Sequence, residues 1–208
     1  MEGKITRSAY LARVISRATN PCFLSILVLL LIAFAEPTNI RVVVGWVTVV
    51  FLFLAVLPLG YVYMRTSRGR SVTKLLVKPT VFLKQHPIDI LILGLLSGLP
   101  CLVILLFLEA PLPMLYTLAA LLASSIVTAL FNIFYRVSYH LAAVTILLIM
   151  AAQTWGPVLL VLLAAIPLIG WAKYQLQEHT PVQLAIGFVL SVAVSGATLY
   201  LFGQIPVL

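Results

Sequence analysis

Two short polar segments interrupt the long apolar stretches of this chain, and they contain the residues best suited to chemistry. One covers residues 135–140 and the other covers residues 173–183. In the first, Ser138 is a good N-cap for a following helix, and the free backbone N–H groups at a helix start bind anions. Arg136 adds a positive charge beside them. The first segment is therefore a candidate phosphate-binding site.

The other ionisable side chains of these segments could act on a phosphate ester. His140 could protonate a leaving oxygen, His179 could attack phosphorus, and Lys173 could hold a non-bridging oxygen. Ionisable groups near the membrane interior are costly and are functional candidates for that reason. These residue types favour histidine-based phosphoryl chemistry that needs no metal ion and no cofactor.

Each of these residues also has a structural interpretation. Thr180, Pro181 and Gln183 form a capping-box pattern with proline at the first helical position. Arg136 and Lys173 could anchor helices at the membrane interface. The two histidines could be hydrogen-bonded by backbone or solvent. Both interpretations stay open at the level of sequence.

The spacing of the two segments resembles that of a known family. One residue separates Ser138 from His140, while five residues separate Lys173 from His179 and three more precede Gln183. This arrangement is similar to the type 2 phosphatidic acid phosphatase superfamily, which includes lipid phosphate phosphatases and vanadium-dependent haloperoxidases. The chain looks like a divergent prokaryotic membrane branch of that superfamily.

The resemblance implies a role for each matching residue. It implies that His179 forms a phosphohistidine, that His140 is the general acid, and that Lys173 and Ser138 bind phosphate. Gln183 stands where the family has an aspartate that orients the nucleophilic histidine. The implied ligand is an amphiphilic lipid phosphate or prenyl diphosphate, taken from among the membrane lipids.

The chain also departs from the family pattern. Lys173 replaces an arginine, Tyr139 replaces a glycine, and Gln183 replaces the aspartate. The first family motif, a lysine with six residues before Arg-Pro, has no direct counterpart in the basic 65–87 segment. Its role could fall to any of four basic residues there, Arg68, Arg70, Lys74 or Lys84.

These departures leave two further functional hypotheses. The first is a catalytically inactive phosphatase-like protein, retained as an accessory or structural subunit of a larger membrane complex. The second, which the spacing does not favour, is a pigment- or haem-binding subunit in which His140 and His179 are axial ligands.

The composition places all of these segments in a membrane protein. Hydrophobic residues make up 63% of the 208 residues and charged residues 9%, and the mean hydropathy is +1.19, whereas soluble domains are about 25% charged. The 13 Lys and Arg against 5 Asp and Glu are therefore expected to act at the membrane or on phosphate, and nucleic-acid binding is excluded. Cys22 and Cys101 lie apart in apolar stretches and predict neither a disulfide framework nor a zinc site.

The apolar stretches predict an all-α, polytopic membrane helix bundle with about seven transmembrane helices. Each stretch is bounded by charge, Pro or Gly and approaches the length needed to cross about 30 Å of hydrocarbon. The predicted spans are residues 21–36, 41–64, 88–108, 112–135, 137–153, 156–172 and 181–203. Together they form a phosphatase-like transmembrane domain over residues 21–208, and the resemblance covers about residues 60–203.

The basic N-terminal segment, residues 1–20, is expected at the membrane interface. Residues 4–18 suit a short amphipathic helix on the membrane surface, and an unstructured basic lead is the alternative. Seven spans place 12 of the 13 Lys and Arg residues on one side of the membrane and leave only Arg41 on the other. The positive-inside rule then predicts a protein of the cell (inner) membrane with its N-terminus and both polar segments cytoplasmic and its C-terminus outside.

Overall fold

The computed structural model describes residues 7–66 and 92–204, and every regular element in those two ranges is helical. Arg68, Arg70, Lys74 and Lys84, the candidates for the first family motif, lie outside the described residues, as do residues 1–6 of the basic lead.

Nine α-helices make up most of the described chain. They are α1 (Arg7–Ala18), α2 (Pro21–Ala35), α3 (Ile40–Phe51), α4 (Leu57–Thr66), α5 (Leu99–Phe107), α6 (Leu112–Phe134), α7 (Tyr139–Trp155), α8 (Ala165–Gln175) and α9 (Pro181–Leu201). A π-helical turn, Leu52–Val56, joins α3 to α4, and a second, Gly94–Gly98, leads into α5. A 3₁₀ segment, Pro157–Ala164, leads into α8.

The three irregular segments share a cause, which is a proline in the helix that follows. Pro58, Pro100 and Pro167 each lack the N–H that would bond to the carbonyl four residues earlier, and their rings crowd that carbonyl. Those carbonyls belong to residues 54, 96 and 163, which lie inside the two π-helical turns and the 3₁₀ segment respectively. The chain thus leaves α geometry where proline removes its hydrogen bond.

Four helical stretches are long and apolar enough to cross a membrane, and a fifth counts if a bent pair forms one span. The four are Ile40–Tyr61, Leu112–Phe134, Pro157–Gln175 and Pro181–Leu201, and the pair is α1 with α2, bent by 41°. Gly94–Phe107 and Tyr139–Trp155 are apolar but shorter. Residues 7–66 and 92–204 are therefore all-helical with four or five candidate spans, and the count of seven stays a prediction.

The centre of the bundle is formed by α6, α7 and α9, which pack against one another. Their shared interface is rich in small hydroxyl residues that are buried. These are Thr117, Ser124 and Thr128 of α6, Thr145 of α7, and Ser191, Ser195 and Thr198 of α9. Small side chains let helices approach closely where lipid supplies no hydrophobic driving force. Several of the hydroxyls donate to their own helix, as Thr145 does to the Leu141 carbonyl at 2.8 Å.

Aromatic side chains tie the helix ends together at the end of the bundle away from α1. The Tyr116 hydroxyl lies 2.8 Å from the Thr154 hydroxyl, which joins the start of α6 to the end of α7. The Tyr116 ring also meets the Phe202 ring edge-on, with centroids 6.4 Å apart. Trp46 of α3 donates its indole N–H to the Leu108 carbonyl at 3.0 Å. Buried tyrosine and tryptophan thus satisfy their polar atoms while filling the apolar interior.

Gly187 marks the closest approach of α9 to the loop between α6 and α7. A Cβ at this position would lie 3.2 Å from Val137 Cγ1 and 3.3 Å from the Ser138 carbonyl oxygen. Gly196, about two and a half turns further along α9, has nothing within 4 Å of the equivalent position. Glycine at 187 is therefore required by packing, whereas glycine at 196 is not.

We expect Gly187→Ala to destabilise the protein relative to Gly196→Ala. Both changes gain the same helix propensity, so their difference isolates the contact with Ser138, and overpacking of this kind costs about 1–3 kcal/mol. The measurement is the apparent melting temperature of the detergent-solubilised protein. Equal melting temperatures for the two variants would show that the close approach does not constrain α9.

Candidate functional site

The helix α1 lies across the end of the bundle that holds both predicted polar segments. It packs along α8 through Ser8, Ala12 and Ser16, which are four residues apart and so share one side of the helix. Ala12 is completely buried, and Gln175 donates its side-chain N–H to Ser8 Oγ at 3.3 Å. We refer to these three residues as the docked face of α1. Of the two interpretations of the basic N-terminal segment, a helix is present over residues 7–18, and it contacts the candidate site.

Lys173 is the most deeply buried charged residue among those the structure describes, with 5% of its surface exposed. Its Nζ donates to Ser16 Oγ at 2.8 Å and to Glu178 Oε2 at 3.1 Å. A buried ammonium is tolerated when it is paired and hydrogen-bonded. Lys173 is thus held between the docked face of α1 and a carboxylate that follows α8.

The turn after α8 explains how Glu178 reaches Lys173. Gln177 has a left-handed backbone, with φ at +54°, and donates its N–H to the Tyr174 carbonyl at 2.8 Å. The Glu178 N–H then bonds to the Lys173 carbonyl at 3.0 Å. These two bonds are a Schellman motif, which reverses the chain at the end of a helix. The reversal returns the Glu178 carboxylate to the side of α8 that carries Lys173.

His140, at the start of α7, contacts the chain just beyond α1. Its Nε2 lies 2.9 Å from Thr19 Oγ1, and the same hydroxyl donates to the Ile15 carbonyl at 2.8 Å. A hydroxyl has one hydrogen to donate. Because that hydrogen goes to Ile15, we assign Thr19 as the acceptor and His140 Nε2 as the protonated nitrogen.

The contacts to Ser16 and Thr19 bring His140 and Lys173 to one place. Ser16 and Thr19 are three residues apart at the end of α1, where side chains of that spacing lie about 5–6 Å apart. The imidazole N–H and the ammonium therefore point at neighbouring hydroxyls. The two polar segments thus meet at one end of the bundle, next to the end of α1.

Ser138 caps α7 as its sequence position predicts. Its hydroxyl accepts the Leu141 N–H at 3.3 Å, and its carbonyl accepts the Ala142 N–H at 3.1 Å. The residue is completely buried, whereas Arg136 beside it is exposed. Of the two residues predicted to bind phosphate at this helix start, only Arg136 is open to a ligand in this conformation.

Asn132, near the end of α6, holds the loop that carries Ser138. Its Oδ1 accepts the Val137 N–H at 3.0 Å, and its Nδ2 donates to the carbonyls of Val137 at 3.4 Å and Thr128 at 2.7 Å. The side chain replaces the backbone partners that are lost where the helix ends. Asn132 therefore fixes the position from which α7, and with it His140, begins.

The capping box predicted at the start of α9 is present. Thr180 Oγ1 accepts the Gln183 N–H at 3.4 Å, and Gln183 Oε1 accepts the Thr180 N–H at 3.0 Å. His179 comes directly before this box and is partly buried. The Gln183 side-chain oxygen, which stands where the resemblance expects an atom that orients His179, is thus bonded to the backbone N–H of Thr180. The two bonds of the capping box fix the backbone next to His179.

Sequence reasoning missed four residues of this site, which are Ser16, Thr19, Asn132 and Glu178. Asn132 had a local signal, because an asparagine at a helix end before a capping serine is typical of a loop clamp. Ser16 and Thr19 lie more than 120 residues from their partners, so no local pattern could reveal them. Within residues 7–66 and 92–204, no group of three or more His, Cys, Asp or Glu is placed to hold a metal ion.

Comparison with known proteins identifies no relative: no protein-family model, no curated protein and no solved structure matches this chain. The resemblance to lipid phosphate phosphatases thus rests on the residues and spacing quoted above. The roles of His179, His140, Lys173, Ser138, Arg136 and Gln183 stay predictions.

A double-mutant cycle tests the pair of Lys173 and Glu178. We expect Glu178→Gln to cost about 1–2 kcal/mol, because it leaves a buried ammonium without its carboxylate. Lys173→Met should cost less, since Glu178 is partly exposed and can be solvated. The free energy of unfolding in detergent, measured for both single variants and the double variant, gives the coupling.

In the Lys173→Met background, Glu178→Gln should have little further effect on stability. A cost that is the same in both backgrounds would show that the two charges do not stabilise each other.

Proposed function

We propose that this protein binds the phosphate group of an amphiphilic molecule at the membrane surface, and that it hydrolyses a lipid phosphate or prenyl diphosphate. The observation that carries the proposal is the convergence of Lys173 Nζ and His140 Nε2 on Ser16, in α1, and Thr19, just beyond it. These two hydroxyls accept hydrogen bonds from the ammonium and the imidazole N–H. The oxygens of a phosphate group could accept hydrogen bonds from the same two donors. The resemblance in residue spacing supports the same class of ligand.

The proposed reaction uses histidine twice and needs no metal ion. His179 attacks phosphorus, so that an N–P bond forms as the bond to the leaving oxygen breaks. His140 supplies the proton to that oxygen, for which it needs an N–H directed at the ligand. Water then attacks the phosphohistidine while His140 takes up one of its protons, and the N–P bond breaks to release phosphate. Lys173 stabilises the charge that spreads over the phosphate oxygens during both steps.

The tautomer assigned to His140 supports its proposed role. A general acid must carry its proton on the nitrogen that faces the leaving group, and Nε2 carries one in the contact with Thr19. Ser16 and Thr19 occupy the donors of Lys173 and His140 in this conformation. A bound phosphate would therefore replace these hydroxyls, and α1 would have to shift outward.

A second candidate function, a catalytically inactive subunit of a membrane complex, is favoured by Glu178. Its carboxylate lies 3.1 Å from Lys173 Nζ, which neutralises the cation that would hold phosphate and repels an approaching dianion. In that case the polar cluster serves to join α1 to α8, and the function lies in contacts with other subunits.

We also propose seven passes through the inner membrane, with the docked α1 on the cytoplasmic side. The support is that Arg7, Arg13, Arg17, Arg136 and Lys173 all lie on segments that meet at one end of the bundle. The shorter helices α2, α5 and α7 would then cross with their ends near the interface, where local thinning of the bilayer accommodates short spans.

Phosphate release in detergent tests the hydrolase. We expect wild-type protein to release phosphate from at least one of a panel of lipid phosphates and prenyl diphosphates. His179→Ala should abolish release, because it removes the nucleophile, and His140→Ala should lower it about 10²–10⁴-fold. Gln153→Ala is the matched control, since this exposed residue lies on the same helix as His140 but at its opposite end.

If well-folded wild-type protein releases no phosphate from any compound of the panel, hydrolysis is contradicted and the inactive subunit is favoured. Phosphate release that survives His179→Ala would contradict the proposed nucleophile instead.

Reporter fusions test the proposed topology. A fluorescent protein that folds only in the cytoplasm should light up when fused to the N-terminus and stay dark when exported on the C-terminus. An alkaline phosphatase fused to the C-terminus should be active, because it folds in the oxidising periplasm. Fluorescence from both termini would mean an even number of spans and would contradict seven.

A further inference from the structure

The side of α1 that faces away from the protein is both apolar and basic. Tyr10, Leu11 and Val14 lie there with 63%, 54% and 46% of their surfaces exposed. Arg13 and Arg17 are exposed as well, and the helix contains no acidic residue. We refer to these five residues as the outer face of α1.

No described group neutralises the outer face. Among residues 7–66 and 92–204, neither Arg13 nor Arg17 has an ion-pair partner. The Glu178 carboxylate is bonded to Lys173, which contacts Ser16 on the docked face. The positive charge of the outer face is therefore available to an external anion.

The length and composition of α1 favour an anion at the membrane surface. The helix has 12 residues, about 18 Å in length, which is too short to cross a bilayer by itself. It is followed after two residues by α2, from which it bends by 41°. A short helix with exposed apolar and basic side chains, set at an angle to the first apolar helix, suits the boundary where headgroups meet hydrocarbon.

We propose that the outer face of α1 binds anionic phospholipids of the surrounding leaflet. Arg13 and Arg17 bond to phosphodiester oxygens, for which the planar guanidinium is well suited. Tyr10 lies at headgroup level, and Leu11 and Val14 enter the boundary with the acyl chains. This surface is separate from the cluster around Lys173, and the proposal does not depend on hydrolysis.

Lipid titration of the full-length protein in detergent tests the proposal. Native mass spectrometry gives the dissociation constant of the first bound lipid, with phosphatidylglycerol and phosphatidylcholine titrated separately. We expect wild-type protein to prefer phosphatidylglycerol. Each of Arg13→Gln and Arg17→Gln should reduce that preference about five-fold, the equivalent of about 1 kcal/mol for each basic residue near an anionic surface.

Arg41→Gln is the matched control, because Arg41 is an exposed arginine at the start of α3 and lies outside the outer face. The Arg41→Gln variant should prefer phosphatidylglycerol as strongly as the wild type does. The proposal is overturned if the two α1 variants keep the wild-type preference, or if Arg41→Gln lowers the preference as much as they do.

A second measurement needs no variant. Raising the ammonium acetate concentration from 0.1 to 0.5 M should weaken the wild-type preference for phosphatidylglycerol, because salt screens exposed charges. A preference that does not change with salt would show that the arginines are not its cause and would likewise overturn the proposal.

Discussion

The polar end of this protein depends on the burial of one ammonium group. Lys173 Nζ is almost completely removed from solvent and is stabilised by Ser16 Oγ on one side and the Glu178 carboxylate on the other. An unpaired cation at this depth would cost several kcal/mol. The docking of α1 on α8 and the chain reversal at Gln177 are the two structural conditions that supply its partners.

Beyond that end, part of the bundle satisfies its polar side chains within single helices. The hydroxyls of Thr145 in α7 and of Ser191 and Thr198 in α9 donate to carbonyls of their own helices. Among the described residues, the buried hydroxyls of Thr117 and Ser195 have no hydrogen-bond partner, so their small size is what close packing uses there. At the irregular turns before Pro58, Pro100 and Pro167, the regular backbone hydrogen bonds of the α-helix are interrupted. Two of these three irregular turns nevertheless lie within stretches that are long and apolar enough to span a membrane, Ile40–Tyr61 and Pro157–Gln175.

Much of the helical framework could be predicted from the sequence, because its determinants are local. Ser138 and Thr180 cap helices at the predicted positions, and the basic N-terminal segment is a helix. The helical segment predicted for 156–172 begins as 3₁₀ and continues to Gln175, since its proline acts four residues upstream. The Schellman motif after α8 could not be predicted from the sequence, because glutamine rather than glycine occupies its left-handed position at residue 177. The contacts of Ser16 and Thr19 depend on how α1 docks, which no local pattern encodes.

Lys173 stands where the family that the chain resembles has an arginine, and this difference bears on how the proposed site would bind a phosphate. An arginine presents a planar fork, whereas an ammonium has three donors in a tetrahedral arrangement. Two of them are bound to Ser16 and Glu178. Because the carboxylate already offsets the charge of Lys173, a dianionic ligand must be attracted chiefly by other groups. His140 Nε2–H, at the start of α7, and the exposed Arg136, in the loop before it, are the described candidates. The affinity of the proposed site would be shared by α7, that loop and α8, and Ser16 and Thr19 would have to give up their hydrogen bonds to the ligand.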